Sequence, residues 1–162
     1  MLIVSDFQCP FCKEWHDQTW GAIRREYVET GKIRVAYLNY PLGQHRHALP
    51  AAIAAMCASA QGRFWEVADR IFDTQNAWQN LSDARAFFDS LATRVVPDAA
   101  AQRACVDGKR VGALIEADVV RSQRAGAEST PTFFIGSRMI AGAQPVAVFR
   151  RAVEEELSRG NR

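Results

Sequence analysis

Cys9-Pro10-Phe11-Cys12 is the stretch on which the reading of this chain turns. The apolar run Leu2-Ile3-Val4 precedes it and a helical pattern follows. Two cysteines separated by two residues, between a predicted strand and a predicted helix, read as a redox dithiol. Residues three apart at a helix start lie close across one turn, so this pair can close a small-ring disulfide with little backbone movement. Pro10 suits the first helical position, where its missing amide hydrogen costs nothing. Cys9 then falls at the N-cap or just before it, and unpaired amides and the positive end of the helix dipole favour its thiolate. Its pKa is expected well below the ordinary value of about 8.5, which also makes Cys9 a good leaving group and the disulfide oxidising toward substrate thiols. Cys12, one turn in, is expected to be more buried and closer to a normal thiol, placed to attack a Cys9–substrate mixed disulfide.

Working outward, Ile3 to Phe7 reads as a short, largely buried strand. A helix follows from Pro10 to near Thr30, with Phe11, Trp15, Trp20, Ile23, Tyr27 and Val28 on its apolar face; Gly31 stops it, and Gly21 weakens it midway. Ile33 to Tyr40 is the second strand, ended by Pro41-Leu42-Gly43. No strand pattern is evident from 45 to about 125. Helices are predicted over Ala48–Ala60, Phe64 to about Thr74, Ser82 (as N-cap) to Leu91, Pro97–Cys105 and Lys109–Arg124, with Asn76–Leu81 as a loop. Thr132-Phe133-Phe134-Ile135 and Met139-Ile140, joined by Gly136-Ser137, form a hairpin. A final amphipathic helix covers Val146 to Leu157, with Arg159 to Arg162 as a frayed end. Without the helical block a βαβ-ββα unit remains, its first two strands parallel and the hairpin antiparallel.

The chain has 162 residues, 48% of them hydrophobic, enough for one domain with a real core and room for an insertion. Its formal net charge of +2 is too near balance to argue for a nucleic-acid or membrane-surface partner, and no nucleic-acid partner is assigned. No apolar run is long enough for a transmembrane helix. Met1-Leu2-Ile3-Val4-Ser5-Asp6 has no signal-peptide pattern. Either the protein is cytoplasmic, or a leader and an opening segment precede this sequence; a strand starting almost at residue 1 favours the second. A zinc site needs four ligands. The candidates beside the dithiol are Cys57, Cys105, His16, His45 and His47, but there is no second CxxC and His16 is not at finger spacing, so no metal and no cofactor are assigned.

Three segments carry a resemblance. Ser5-Asp6-Phe7-Gln8-Cys9-Pro10-Phe11-Cys12, then Tyr40-Pro41-Leu42 with His45 and Ala48, then Ser129-Thr130-Pro131-Thr132-Phe133-Phe134-Ile135-Gly136 with Gly142-Ala143-Gln144-Pro145, resemble the DsbA-like thioredoxin-fold oxidoreductases of the Thioredoxin_4 type. The likeness runs in order through nearly the whole chain. It implies an α/β thioredoxin fold with an inserted α-helical domain: residues 1–43 and 127–162 as a discontinuous thioredoxin-like domain, and 44–126 as the insertion. It also implies a cis bond between Thr130 and Pro131 facing the dithiol, with Thr130 presenting backbone groups to an extended substrate peptide and its side chain tuning Cys9. Cys57 and Cys105 match positions bridged in some relatives; two separate buried thiols are the alternative. Phe11 stands where DsbA has a histidine, so one strong stabiliser of the thiolate is absent. Nor is a buried charged pair beneath the dithiol evident; Asn39 is on the strand where one would sit.

The function so implied is thiol–disulfide exchange on cysteines of protein substrates, most simply oxidation of exported proteins in a periplasmic or extracytoplasmic compartment, with a redox partner that recycles the dithiol. Cys9 reacts first, Cys12 resolves, and Pro10, Phe11 and Trp15 surround the site, Trp15 as a candidate groove residue. His45 is assigned a hydrogen bond or hinge role and His47 the surface. The rivals are an isomerase or reductase on the same site, a glutathione or aromatic-substrate enzyme of the same fold, and a non-enzymatic thioredoxin-like module that binds partners or is fused to a membrane protein.

Overall fold

The computed structural model describes residues 1–108 and 110–160. The predicted helix start at Lys109 and the tail residues Asn161 and Arg162 lie outside them. A four-stranded sheet, β1 (Leu2–Ser5), β2 (Ala36–Asn39), β3 (Thr132–Ile135) and β4 (Arg138–Ala141), has the order β2-β1-β3-β4. β1 runs parallel to β2 and antiparallel to β3, and β3 pairs antiparallel with β4. Between β1 and β2 a helical run covers 10–28, in which α1 (Pro10–Trp15) and α2 (Gly21–Ile23) alternate with π-helical turns His16–Trp20 and Arg24–Val28. Gly31 ends it with a φ of +72°, a region that favours glycine.

Six helices lie between β2 and β3: α3 (Ala48–Ser59), α4 (Phe64–Asp73), α5 (Gln75–Trp78), α6 (Arg85–Thr93), α7 (Ala99–Asp107) and α8 (Arg110–Arg124); α9 (Val146–Gly160) closes the chain. One face of the sheet buries Ile3, Phe133 and Ile140 against Trp15, Trp20, Ile23 and Tyr27 of the first helical run and Phe149, Ala152 and Val153 of α9. The insertion builds its own core from alanines of α3 with Val67, Ile71, Trp78, Phe88 and Ile115. Phe7, Cys9 and Cys12 belong to that second core, so the dithiol lies where insertion and sheet meet. The fold is therefore a mixed α/β thioredoxin core with an inserted helical subdomain.

Several local expectations need correction. The predicted loop Asn76–Leu81 is in part helical: Gln75–Trp78 forms a helical turn because Trp78 is fully buried and its Nε1–H donates to Ile71 O at 2.9 Å. Ser82 does not cap α6; the Asp83 carboxylate takes the Arg85 N–H at 2.9 Å, and the helix starts at Arg85. Arg159 is not frayed: α9 runs to Gly160 and Arg159 pairs with Glu156. β2 is shorter than Ile33–Tyr40: it pairs with β1 over Ala36–Asn39, opposite Leu2–Ser5.

Candidate active site

Cys9 caps α1 with extended backbone (φ −68°, ψ 125°), Pro10 opens the helix, and Cys9 O accepts the Lys13 N–H at 3.1 Å. Both cysteines are free thiols and both are buried, at 3% and 1% exposure. Burial alone would push both thiols up. Cys9 nevertheless falls to about 6. The Cys12 side chain is the largest cause, bonding to the Cys9 sulfur; burial opposes it, and the Thr130 side chain and the backbone N–H groups of Cys12 and Phe11 add to the lowering. Cys12 moves the other way, well above the ordinary thiol range, through burial first and then its Cys9 neighbour. That corrects the expectation of a near-normal thiol at Cys12. Two thiols one helical turn apart are thus poised oppositely, one a thiolate at neutral pH and the other a proton-bearing donor beside it. Such a pair can exchange with a disulfide, Cys9 attacking and Cys12 waiting beneath.

Opposite the sulfurs, the Thr130–Pro131 peptide bond is cis. Cys9 Sγ donates to Thr130 O at 3.5 Å. Thr130 and Pro131 are buried, and Thr130 Oγ1 has no partner among the described residues. Pro10 and Phe11 are exposed, Phe11 at 60%, and form an apolar shoulder next to Cys9. Trp15 is not on that shoulder. It lies three residues past Cys12 on the same helical face, is buried, and stacks against Trp20, Phe133 and Phe149 in the core. It packs in the core rather than on the exposed side of the dithiol.

The loop before Cys9 is tied down by residues that sequence reasoning passed over. Gln75 of α5 donates from Nε2 to Phe7 O at 2.8 Å and to Cys9 O at 3.3 Å. Gln8 donates to Gln79 O at 3.2 Å and accepts the His47 N–H at 2.7 Å. His47, assigned to the surface, is buried, and its Nε2–H donates to Leu81 O at 2.7 Å. A buried carboxylate also lies below the dithiol, contrary to expectation: Asp6 Oδ2 accepts from His45 Nδ1 at 2.7 Å and from Leu42 N at 2.8 Å. Asn39 donates to Asp118 of α8 rather than toward the sulfurs. Nothing in the sequence pairs these residues, because the partners are 34 to 79 positions apart.

Cys57 and Cys105 are joined in a disulfide between α3 and α7, with Cα atoms 5.7 Å apart. The residues weighed as zinc ligands are dispersed, with His45 on Asp6, His47 on Leu81 and His16 Nε2 on Asp69 at 3.1 Å. Ligand atoms of His16, Asp17 and Asp73 do lie within 4.8 Å of one another at the surface, where Lys13 Nζ already pairs with Asp17 at 2.9 Å.

The Thioredoxin_4 family model, described as thioredoxin, matches residues 1–155. The Na(+)/H(+) antiporter NhaA 3 of Salinispora tropica is 29% identical over 150 residues, covering 92% of this chain and 22% of that protein. A probable disulfide bond formation protein D of Bacillus anthracis is 22% identical over 159 residues, covering 96% of this chain and 72% of that protein. The chain thus spans only 22% and 24% of two antiporters that it matches. Among solved structures, oxidised BdbD from Bacillus subtilis superposes with a TM-score of 0.85 at 17% identity, over 97% of this chain and 86% of that one. Wolbachia pipientis alpha-DsbA1 gives a TM-score of 0.81 at 20% identity, over 98% and 85%. With a family model matched along almost its whole length and the fold of DsbA and BdbD around a paired dithiol, the chain belongs to the Thioredoxin_4 family of thioredoxin-fold proteins.

Proposed function

We propose that this protein is a thiol–disulfide oxidoreductase acting on cysteines of protein substrates, and that it works as an oxidase for exported proteins. The observation that carries the reading is the opposite poise of the two sulfurs, Cys9 down to about 6 and Cys12 well above the ordinary range. A stabilised Cys9 thiolate favours the reduced form, so the Cys9–Cys12 disulfide takes electrons from substrate thiols. A substrate thiolate attacks Cys9 Sγ, the Cys9–Cys12 bond breaks, and Cys12 leaves with the electron pair. A second substrate thiolate then attacks the mixed disulfide and Cys9 leaves. Thr130 and Pro131 shape the substrate side, Thr130 offering its backbone to an extended peptide, and exposed Pro10 and Phe11 give that peptide an apolar contact. Residues 1–43 with 127–162 serve as the redox unit and 44–126 as a lid over it. The compartment is periplasmic or otherwise extracytoplasmic, consistent with the Cys57–Cys105 bridge. A redox partner recycles the dithiol.

The likeness to antiporters favours a second arrangement, in which the same redox unit is attached to a membrane transporter. None of the described helices is long and apolar enough to cross a membrane. Equilibration of the Cys9–Cys12 pair with glutathione buffers tests the oxidase reading. The expected potential is above that of the thioredoxin class, about −270 mV. A potential at or below that value, with the pair reduced in the cell, assigns a reductase instead.

A further inference from the structure

Asp6 holds both cysteines at once, Cys9 by its backbone and Cys12 at its sulfur. Its carbonyl oxygen accepts the Cys9 N–H at 3.1 Å, and its own N–H donates to Cys12 Sγ at 3.5 Å. The residue is 1% exposed. Its carboxylate is anchored by three donors, Gln8 N at 2.7 Å on Oδ1, Leu42 N at 2.8 Å and His45 Nδ1 at 2.7 Å on Oδ2. A carboxylate only accepts, so Nδ1 of His45 carries the hydrogen. Leu42 and His45 belong to the segment that leads from β2 into α3, so one side chain locks the dithiol loop to the start of the insertion.

We propose that His45, acting through the Asp6 carboxylate, is a positioning residue that aims the Asp6 N–H at Cys12 and so stabilises the charge Cys12 acquires as a leaving group. The proposal rests on the thiol–disulfide reading above. When a substrate thiolate attacks Cys9 Sγ, the sulfur–sulfur bond breaks and its electron pair goes to Cys12 Sγ, which later takes a proton from solvent. That sulfur is almost completely buried, and a charge developing in such a place is costly without a donor. The Asp6 N–H and the Ser5 side chain favour the Cys12 thiolate against burial. Without the His45 N–H, the buried Asp6 carboxylate lacks one of its three partners and no longer fixes the loop. The Asp6 N–H then loses its aim at Cys12 Sγ, which acts against the Cys12 thiolate.

The test uses the Cys9→Ala protein, in which Cys12 is the free thiol, and follows its alkylation by iodoacetamide at pH 8.5. His45→Phe is expected to slow the reaction at least threefold, and His45→Gln, which keeps an N–H donor, to restore most of the rate. His45→Ala serves the same comparison if the phenyl ring prevents folding. An unchanged or faster rate in the donor-less variant overturns the proposal, because simple loosening exposes a buried thiol and speeds its alkylation. Failure of glutamine to exceed phenylalanine or alanine overturns it as well. The assay needs neither a protein substrate nor a redox partner, so its outcome is separable from that of the glutathione potential, on which the oxidase reading depends.

Discussion

Two cysteine pairs share one apolar core and do opposite things with it. Cys9, Cys12 and Cys57 are all buried in the same cluster, with Cys105 packed against it. Cys57 and Cys105, 48 residues apart on two helices, are bridged. Cys9 and Cys12 sit one turn apart at a helix start and remain thiols. Burial does not distinguish the pairs; the polar groups around the sulfur do. Cys9 faces a thiol donor, two helix-start N–H groups and Thr130, and these outweigh the desolvation that would otherwise raise it. In the insertion each sulfur is bonded to the other. One pair is arranged for reactivity, the other ties helices α3 and α7.

The sharpest way to break this contrast is to remove one sulfur from each pair. Cys9→Ala is expected to reduce thiol–disulfide exchange to background, on the order of 10³-fold or more, in insulin-reduction and dithiol-oxidation assays. Cys57→Ala with Cys105→Ala should leave exchange within about twofold. Retention of activity in Cys9→Ala, or its loss in the double variant, would exchange the roles assigned to the pairs. Stability should show the reverse pattern. A crosslink 48 residues apart contributes about 4 kcal/mol by chain entropy. Its removal should lower the melting temperature by roughly 10 °C, read by calorimetry under non-reducing conditions, whereas Cys9→Ala should move it far less.

A smaller effect concerns the coupling inside the reactive pair. The Cys12 side chain is the largest cause of the lowered Cys9 value. In Cys12→Ala the alkylation midpoint of Cys9 should rise from about 6 toward the ordinary thiol range, since burial remains while the main donor is gone. The thiolate fraction at pH 7 must then fall. A midpoint that stays near 6 would assign the stabilisation to the helix start alone.

How much of this was legible before the fold depends on sequence distance. The dithiol, its helix cap, the parallel first pair and the hairpin are local patterns, whereas the pairing of β1 with β3 that joins them is not. Trp15 could also have been placed correctly, since a residue three past a buried Cys12 shares its face. Spacing does not disclose Gln75 on the Cys9 carbonyl, or His45 on Asp6, because the chain must first fold the insertion back onto the loop. Strand β2 also differs from its pattern: Ile33 and Val35 alternate well, but the ladder with β1 covers Ala36–Asn39. Ser82 does not cap α6: Ala84 takes the N-cap position without a side-chain bond, and the adjacent Asp83 carboxylate binds the Arg85 N–H.

The finest distinction between the pairs rests on one hydroxyl. Thr130 Oγ1 is buried and has no partner among the described residues while Cys9 is a thiol that donates to the Thr130 carbonyl. Once Cys9 loses its proton, the sulfur becomes an acceptor and the hydroxyl can turn to donate to it, which favours the thiolate. The nearly isosteric Thr130→Val removes that donor and keeps the carbonyl and the volume. Because this contribution ranks below that of Cys12, the Cys9 midpoint should rise by less than in Cys12→Ala, by under about one pH unit for a single hydrogen bond. The alkylation rate measured from pH 4 to 9 reads the shift directly. Combined with Cys12→Ala, the valine variant should shift the midpoint further. If it shifts nothing in either background, the Thr130 hydroxyl has no part in tuning Cys9, and the loop acts on the sulfur through its backbone alone.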